Sequence, residues 1–422
     1  MAKLLSYGIV SSTYSSGAAG DLAVTGSPGS VTINKNEVTG LNGDPELITY
    51  YDTVAGKLYA IVCQYDFSTG TAVNISIYDW STSPWTLVKD VTSLWTAIKN
   101  LWGAVSLGNH LYALDYDSAT VAKIDLTGGS YTQLGTYTYS SGIAGYNAAG
   151  VGITTASNGS TTDVYALFAV LDTAYPPDYK ASELIRLNVS GSSPTVSHQI
   201  STGAENPLAM TPYGTSLFIA NVGGAQGTSQ NSGTSVQEVV LTSSSPYMTP
   251  HNRLTSSNTS GNYYDLTING TTGKAYILTG LYNTLFTTLS GDVYYTSTTN
   301  ISGGTIGTSV DSFSSPGNFW AVLYQDNATP YKFWFARGNP IDLYNTPPTA
   351  PGGTVITTAV SAMGNSPINA NINSVAPLWG PSAFALRSGV GTSPKSFRAH
   401  AQLARDARRM AQEIRNKKNK NK

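Results

Sequence analysis

The chain has 422 residues, of which 11% are charged and 10% are aromatic, and its formal net charge is −1. Its single cysteine, Cys63, excludes an intrachain disulfide, and no run approaches the roughly 20 apolar residues of a membrane helix. Few charges, many hydroxyl and amide side chains and 27 tyrosines are typical of extracellular sheet proteins rather than of cytosolic enzymes.

The first ten residues do not match a secretory signal, because Ser6, Tyr7 and Gly8 interrupt the apolar run. Three explanations fit an extracellular composition without an export signal. A signal has been removed, secretion is unconventional, or the protein belongs to a virion that forms inside a cell and acts outside it. We therefore expect an extracellular or virion-surface location.

A short strand pattern with a central aromatic residue recurs seven times. By subtraction, the spacings between successive copies are 53, 53, 53, 58, 58 and 50 residues. An aromatic residue among small or aliphatic neighbours at near-constant spacing marks a repeated supersecondary unit, and such units pack into one body. The copies centre on Tyr59, Tyr112, Tyr165, Phe218, Tyr276, Trp334 and Phe384.

The clearest unit covers residues 102–137. Four segments of β-branched, aromatic and alternating residues are separated by turns at 108–109, 117–119 and 128–129. This pattern predicts a four-stranded antiparallel meander, which is the blade of a β-propeller. The sequence therefore predicts an all-β, seven-bladed β-propeller over residues 1–390.

The seventh unit is incomplete, because only residues 376–379 and 383–386 read as strands before the pattern stops. We expect residues 21–25 and 30–33 to supply the missing pair. The last blade would then be shared between residues 20–35 and 374–388. Strands from both chain ends in one blade would remove the open edge of the ring.

Three stretches carry a resemblance to a known group: Gly-Lys-Leu-Tyr-Ala at 56–60, Val-Ala-Lys-Ile-Asp at 121–125 and Gly-Lys-Ala-Tyr-Ile at 273–277. They resemble the recurring strands and turns of the seven-bladed propellers of the Tyr-Val-Thr-Asn and lactonase-like group. The likeness covers about residues 20–388, although the Tyr-Val-Thr-Asn words themselves are missing. It implies the architecture and no single activity, since this fold hosts enzymes, adhesins and scaffolds.

A lactonase-like enzyme would need a divalent-metal site of acidic and asparagine side chains at the channel mouth. Several such residues lie near the ends of predicted inner or second strands, although a set of this size is also expected by chance. They are Asp52, Glu46, Asp265, Asn221 and Asp326. An exported hydrolase of this kind is the alternative hypothesis.

Motifs for other chemistry are missing from the sequence. The histidines His110, His198, His251 and His400 are scattered without metal-ligand spacing. Neither a dinucleotide-binding or phosphate-binding glycine motif nor a nucleophile elbow occurs. We therefore predict no enzymatic activity, no metal and no cofactor.

Aromatic residues follow the second strands of several predicted blades. These loops emerge on one face of a propeller, where the ring and hydroxyl of Tyr suit contacts with carbohydrate or protein. The competing interpretation is ordinary hairpin packing. The predicted ligand-binding residues are Tyr65, Phe67, Tyr116, Tyr175, Tyr179 and Tyr282.

The end of the chain is basic, whereas the rest is acidic. Residues 395–422 hold ten Lys or Arg and two acids, a net charge of +8, which leaves 13 − 22 = −9 for the remainder. We predict that residues 391–422 form a basic amphipathic helix followed by a disordered Lys/Asn tail, because apolar residues recur there at helical spacing. The predicted docking residues are Leu403, Ala407, Arg408, Met410 and Ile414.

Three interpretations of this basic segment stay open: a solvated tail, a docking helix, or a contact with nucleic acid or an anionic surface. We favour a helix that docks on other proteins of a larger assembly. The expected function is a non-enzymatic structural, adhesion or receptor-binding module on a virion or cell surface. Glycans or a host receptor would bind one face of the propeller.

Overall fold

The computed structural model describes residues 2–10, 17–24, 31–41, 44–52, 55–66, 71–172, 179–224, 229–269, 272–282, 288–316, 321–325, 333–337, 341–344, 349, 355–358 and 371–377. These residues form seven antiparallel sheets of four strands each. The predicted all-β class is confirmed.

Six sheets take their four strands consecutively from the chain, and one sheet combines strands from both ends. In chain order the strands are β1 (Ala2–Val10), β2 (Gly17–Val24) and β3 (Val31–Leu41) of sheet 1; β4 (Asp44–Asp52), β5 (Lys57–Asp66), β6 (Thr71–Asp79) and β7 (Thr86–Asp90) of sheet 2; β8 (Leu101–Leu107), β9 (His110–Asp115), β10 (Thr120–Asp125) and β11 (Thr132–Thr138) of sheet 3; β12 (Tyr146–Ser157), β13 (Thr162–Asp172), β14 (Tyr179–Asn188) and β15 (Thr195–Glu205) of sheet 4; β16 (Pro207–Tyr213), β17 (Ser216–Asn221), β18 (Ser235–Leu241) and β19 (Met248–Thr255) of sheet 5; β20 (Asn262–Ile268), β21 (Lys274–Tyr282), β22 (Thr288–Ser297) and β23 (Thr308–Pro316) of sheet 6; β24 (Ala321–Gln325), β25 (Phe333–Arg337), β26 (Ile341–Tyr344) and β27 (Val355–Thr358) of sheet 7; and β28 (Asn371–Pro377), which returns to sheet 1. One short helix, α1 (Thr298–Ser302), joins β22 to β23, and 3₁₀ turns cover Thr127–Gly129 and Ser256–Asn258.

The repeated aromatic residues mark the second strand of each sheet. Six of the seven lie there: Tyr59 in β5, Tyr112 in β9, Tyr165 in β13, Phe218 in β17, Tyr276 in β21 and Trp334 in β25. The seventh, Phe384, lies outside the described residues. The unit predicted over residues 102–137 corresponds to sheet 3, with turns where glycine and aspartate predict them.

Sheet 1 joins the two ends of the chain. Its strand order is β28-β1-β2-β3, and β28 pairs with β1 from Val10–Asn371 to Leu5–Pro377. The N-terminal segment thus supplies three strands and the C-terminal segment one, so the predicted division into two strands from each end is wrong. The second position is held by β1, which contains Tyr7; residues 383–386 lie outside the described residues.

Each sheet has a turn end and a loop end. At the turn end the third strand leads to the fourth and, in sheets 2–7, the first leads to the second; at the loop end the second leads to the third and the fourth to the next sheet. Only Asn206 separates β15 from β16, so the loop ends of sheets 4 and 5 are adjacent. Neighbouring first strands contact one another from β28 to β4 and on through β8, β12, β16 and β20 to β24. This arrangement is propeller-like.

Apolar side chains fill the space between neighbouring sheets. Between sheets 2 and 3 the core contains Ile61, Ile77, Trp95, Leu111 and Ile124, each no more than 3% exposed. Comparable clusters lie between sheets 4 and 5 and between sheets 5 and 6. Each such aliphatic side chain stabilises the fold by about 1.5–3 kcal/mol when fully buried.

A recurring contact also connects the sheets near their outer strands. We call the connection between the third and fourth strands of a sheet its outer turn. Along sheets 1–6, each outer turn after the first contacts the preceding sheet. The contacts are Ser83 Oγ with Glu37 Oε1 (2.7 Å), the Tyr131 side chain with Tyr50, Lys123 Nζ with the Val189 carbonyl (2.7 Å), the Tyr247 ring with the His198 ring (3.7 Å between centroids), and Ser302 Oγ with Glu238 Oε2 (2.8 Å).

Candidate functional site

Two half-buried tyrosines lie at the loop ends of sheets 3 and 4. Tyr116 follows the last residue of β9, and Tyr146 begins β12. The ring of Tyr116 packs on Trp102, with 4.5 Å between centroids, and the Nζ atom of Lys180 lies 5.1 Å from the centroid of the Tyr146 ring. We call Trp102, Tyr116, Tyr146 and Lys180 the aromatic loop surface.

Buried hydrogen bonds hold this surface in place. Trp102 is 3% exposed, and its Nε1 donates to the carbonyl oxygen of Val151 in the next sheet at 3.2 Å. The backbone N–H of Gly150 donates to the carbonyl oxygen of Tyr116 at 3.0 Å. Tyr116 is therefore fixed between sheets 3 and 4 by its ring and by its backbone.

Asp115 organises the loops beside Tyr116. Its carboxylate is fully buried; Oδ2 accepts the backbone N–H groups of Lys99 and Asn100 at 2.6 Å each, and Oδ1 accepts the backbone N–H and the hydroxyl of Ser118 at 2.8 and 2.7 Å. One carboxylate thus ties the segment entering β8 to the loop leaving β9. Hydrogen bonds to a charged acceptor are stronger than those between neutral groups. The loops beneath the aromatic loop surface are therefore held rigidly.

The other predicted ligand-binding residues have different surroundings. Tyr179 lies in β14, is 6% exposed, and has its pKa raised by burial. Tyr65 lies in β5 and Tyr282 ends β21, whereas Phe67 and Tyr175 fall outside the described residues. Of the predicted set, the structure therefore brings Tyr116 to a described aromatic surface, together with Trp102, Tyr146 and Lys180, which the sequence analysis does not single out.

An amide cluster lies at the loop ends of sheets 5 and 6. Gln230 donates to the carbonyl oxygens of Ser256 and Gly261, and Asn206 donates to that of Gly224. The side chain of Asn262 accepts the backbone N–H of Asn231 at 2.8 Å. These amides satisfy backbone groups of long connections that no strand neighbour satisfies, so the cluster builds the loops rather than an open pocket.

The described acidic and asparagine residues proposed for a metal site come from sheets 2, 5 and 6, and Asp52 and Asn221 lie at opposite ends of their sheets. Asp52 is at the turn end of sheet 2, where Oδ1 accepts the N–H of Ala55, whereas Asn221 ends β17 at the loop end of sheet 5. Asp265 is buried in β20, Glu46 is in β4, and Asp326 is outside the described residues. Within the described part of the chain, no group of three or more His, Cys, Asp or Glu is placed to hold a metal.

Acidic residues concentrate at the loop ends of sheets 2–4. The described residues place eight acids there: Asp44, Glu46, Asp66, Asp90, Asp115, Asp117, Asp172 and Glu205. Three basic residues share these ends: Lys89, Lys99 and Lys180. Hydrogen bonds from Thr92 hold the pKa of the exposed Asp90 carboxylate below its usual value.

The C-terminal docking residues, from Leu403 to Ile414, lie outside the described residues. Among the helices that the structure does describe, none is long and apolar enough to cross a membrane. The described histidines fall in three sheets, His110 in β9, His198 in β15 and His251 in β19.

No protein-family model matches the sequence, and no curated protein matches it. Among solved structures, a protein of unknown function from Desulfotomaculum acetoxidans is 13% identical over 84% of this chain and 95% of its own, with a TM-score of 0.49. A candidate 6-phosphogluconolactonase from Bacteroides fragilis is 11% identical over 84% and 94%, with a TM-score of 0.44. Apo AztD from Citrobacter koseri is 11% identical over 83% and 96%, with a TM-score of 0.42. These similarities carry no argument about function, and the fold assignment stands on the sheets themselves.

Proposed function

We propose that this chain is a closed seven-bladed β-propeller that acts as a non-enzymatic structural or receptor-binding module of a virion or cell-surface assembly, anchored through its C-terminal segment. Seven four-stranded sheets and the sequence of contacts between first strands support the ring. Closure would place β24 of sheet 7 beside β28 of sheet 1. The shared sheet would then lock both chain ends into the ring.

The completed sheet 1 is the observation that carries the anchoring role. With β28, sheet 1 has four described strands like the other six sheets, all supplied by residues before 378. Residues 378–422 form a segment of 422 − 377 = 45 residues that holds eleven Lys or Arg and two acids, a charge of +9, against 12 − 22 = −10 for residues 1–377. A segment of this charge is suited to bind another macromolecule.

The aromatic loop surface supports a binding role for the opposite end of the molecule. Half-buried tyrosine rings held by Trp102 and Asp115 offer apolar area at little cost in side-chain entropy. The hydroxyl of Tyr and the ammonium of Lys180 add polar contacts at the rim of the same rings. Glycans and the polar surfaces of receptor proteins fit this chemistry.

A binding measurement with the full chain tests this function. On a glycan array, we expect capture of a defined glycan class and at least a tenfold loss for Tyr116→Ala with Tyr146→Ala. Tyr247→Ala, which removes a half-buried tyrosine at a turn end, serves as the matched control and should bind normally.

The alternative hydrolase is tested on the same preparation. Hydrolysis of a lactone panel that requires an added divalent cation and is lost in Asp265→Asn would overturn the non-enzymatic assignment.

End-on images by electron microscopy provide the test of ring closure. We expect seven lobes around a central channel.

A further inference from the structure

We propose that residues 378–422 of one chain bind the loop ends of sheets 2–4 of a second copy, so that copies associate head to tail. This inference rests on the anchoring role proposed above and names the partner and the surface. Three features carry it: the place where the segment begins, the chemistry of the loop ends, and the reach of the chain.

The segment follows Pro377, which lies at a turn end. In sheet 1, β1 ends at Val10 and residues 11–16 lead to β2, so Val10 and its partner Asn371 lie at the loop end. Strand β28 runs from there to Pro377, opposite Leu5, at the turn end. The cationic segment therefore begins on the side opposite to the acidic loop ends.

The loop ends of sheets 2–4 match the segment in charge. Eight acidic residues, of which Asp115 is buried, and three basic residues lie at these ends among the described residues, and the segment has a charge of +9. Asp90 and Asp117 are exposed, and Asp172 and Glu205 are half-buried. Opposite charges of this kind steer association and select the matching surface.

The same surface also matches the segment in apolar character. Val73, the third residue of β6, and Ile143, between β11 and β12, are 48% and 46% exposed at these loop ends. The half-buried rings of Tyr116 and Tyr146 lie there as well. An amphipathic helix binds by laying its apolar stripe on such a surface, and the predicted stripe is Leu403, Ala407, Met410 and Ile414.

The reach of the chain suits a second copy. Sixteen residues, 378–393, precede the predicted helix and span at most about 55 Å when fully extended. The chain's own loop end lies about 23 Å back along the seven residues of β28 at the usual strand rise, so the segment would have to reverse its direction to reach it. A stacked copy presents its loop end directly.

Head-to-tail contact joins two different surfaces, so repetition builds rings or open stacks rather than closed dimers. The test is sedimentation velocity of the full chain over a range of concentrations, at 0.1 M and 1 M NaCl. The Debye length falls from about 10 Å to about 3 Å between these salts. We expect concentration-dependent assembly beyond the dimer at 0.1 M and dissociation at 1 M.

Neutral substitutions locate the acceptor surface. Asp117→Asn with Glu205→Gln raises the net charge by two at the loop ends and should weaken association three- to tenfold. Ser160→Lys with Thr215→Lys raises it by the same amount at exposed turn-end positions and should not weaken it. Equal weakening by both pairs would indicate a net-charge effect and overturn the assigned surface.

A charge swap identifies the donor. Arg405→Glu with Arg409→Glu should abolish association, and mixing this variant with Asp117→Lys/Glu205→Lys should restore heterologous pairs. A full chain that is monomeric at both salts overturns the proposal, as does a monomer whose residues 115–118 gain hydrogen-exchange protection from its own segment. Either result leaves the proposed function to the glycan and lactone measurements, which do not depend on self-association.

Discussion

The ammonium group of Lys123 donates to the carbonyl oxygens of Val189 and Gly191, at 2.7 and 2.8 Å, across the junction of sheets 3 and 4. Lys123 is 4% exposed and pairs with Tyr112 in the register of β9 and β10. Burial lowers its pKa, and the two carbonyl oxygens offset part of the cost of burying the charge. A polar residue also pairs with the repeated aromatic residue in three other sheets. The pairs are Tyr59–Asp79, Tyr165–Arg186 and Phe218–Glu238.

Replacing Lys123 by methionine should destabilise the fold by about 2–3 kcal/mol, because two buried carbonyl oxygens lose a charged donor. The measurement is the free energy of unfolding in urea. Lys89→Met, at an exposed position in β7, is the matched control and should change stability by less than about 0.5 kcal/mol. Equal effects of the two substitutions would contradict a structural role for the inter-sheet bonds.

Tyr131 anchors the outer turn of sheet 3. Its φ of +52° lies in the left-handed region, which a bulky residue adopts at a cost. It is 3% exposed, and its carbonyl oxygen accepts Trp95 Nε1 at 2.9 Å. Tyr131→Ala should cost about 3–5 kcal/mol in unfolding free energy. Tyr131→Phe, which keeps the ring, should cost about 1 kcal/mol; a Phe variant as unstable as the Ala variant would assign the anchoring to the hydroxyl instead of the ring.

Gly291 allows β21 and β22 to approach closely. A Cβ atom at this position would overlap the carbonyl oxygen of Thr279 and the backbone of Gly280, so Gly291→Ala must displace backbone. We expect a loss of at least about 3 kcal/mol, beyond that of ordinary overpacking. Gly303→Ala meets only contacts of 3.4 Å or more, at a φ of −83°, and should be nearly neutral in the same thermal or urea unfolding experiment.

Asp79 should contribute a pH-dependent part of the stability. Burial raises its pKa, but hydrogen bonds from Ser81 and the ammonium of Lys57 outweigh that effect and leave the pKa below its usual value. A carboxyl with a lowered folded-state pKa stabilises the fold above its unfolded pKa of about 4, and the stabilisation is lost as pH falls through the folded-state value.

We therefore expect Asp79→Asn to be about 1 kcal/mol less stable than the parent chain at pH 7. The difference should shrink as pH falls below about 4, because the parent carboxyl becomes protonated as pH passes through its lowered folded-state pKa. Urea unfolding across this range provides the measurement. A difference that stays constant with pH would assign the effect of the substitution to packing.

The repeat of aromatic residues locates six second strands because each copy has its own local signals, a glycine or asparagine turn before it and alternation within it. The place of β1 in sheet 1 lacks such signals. No turn precedes Tyr7, and its partner β28 follows more than 360 positions later. A pairing that distant leaves no local pattern, so residues 2–10 are not predicted as a strand.

The site is predicted less completely than the fold because burial changes from one residue to the next. Tyr179 and Lys180 are neighbours in β14 and point to opposite faces of the sheet. The first is buried and the second is exposed beside Tyr146. Spacing locates the loop but does not fix the register that decides which side chain faces outward. The outer-turn contacts, such as Lys123 with Val189, join residues too distant for any sequence window.

The division of sheet 1 between the chain ends sets the order in which the protein can be completed during synthesis. Val10 and Asn371 are 361 positions apart, so at 5–20 residues per second roughly 20–70 s pass before the ribosome delivers the partner of β1. Throughout that interval the first strands made present an unpaired edge, which is a template for pairing with another chain. Nascent chains on one message therefore carry open N-terminal edges side by side until residues 371–377 emerge and pair with β1.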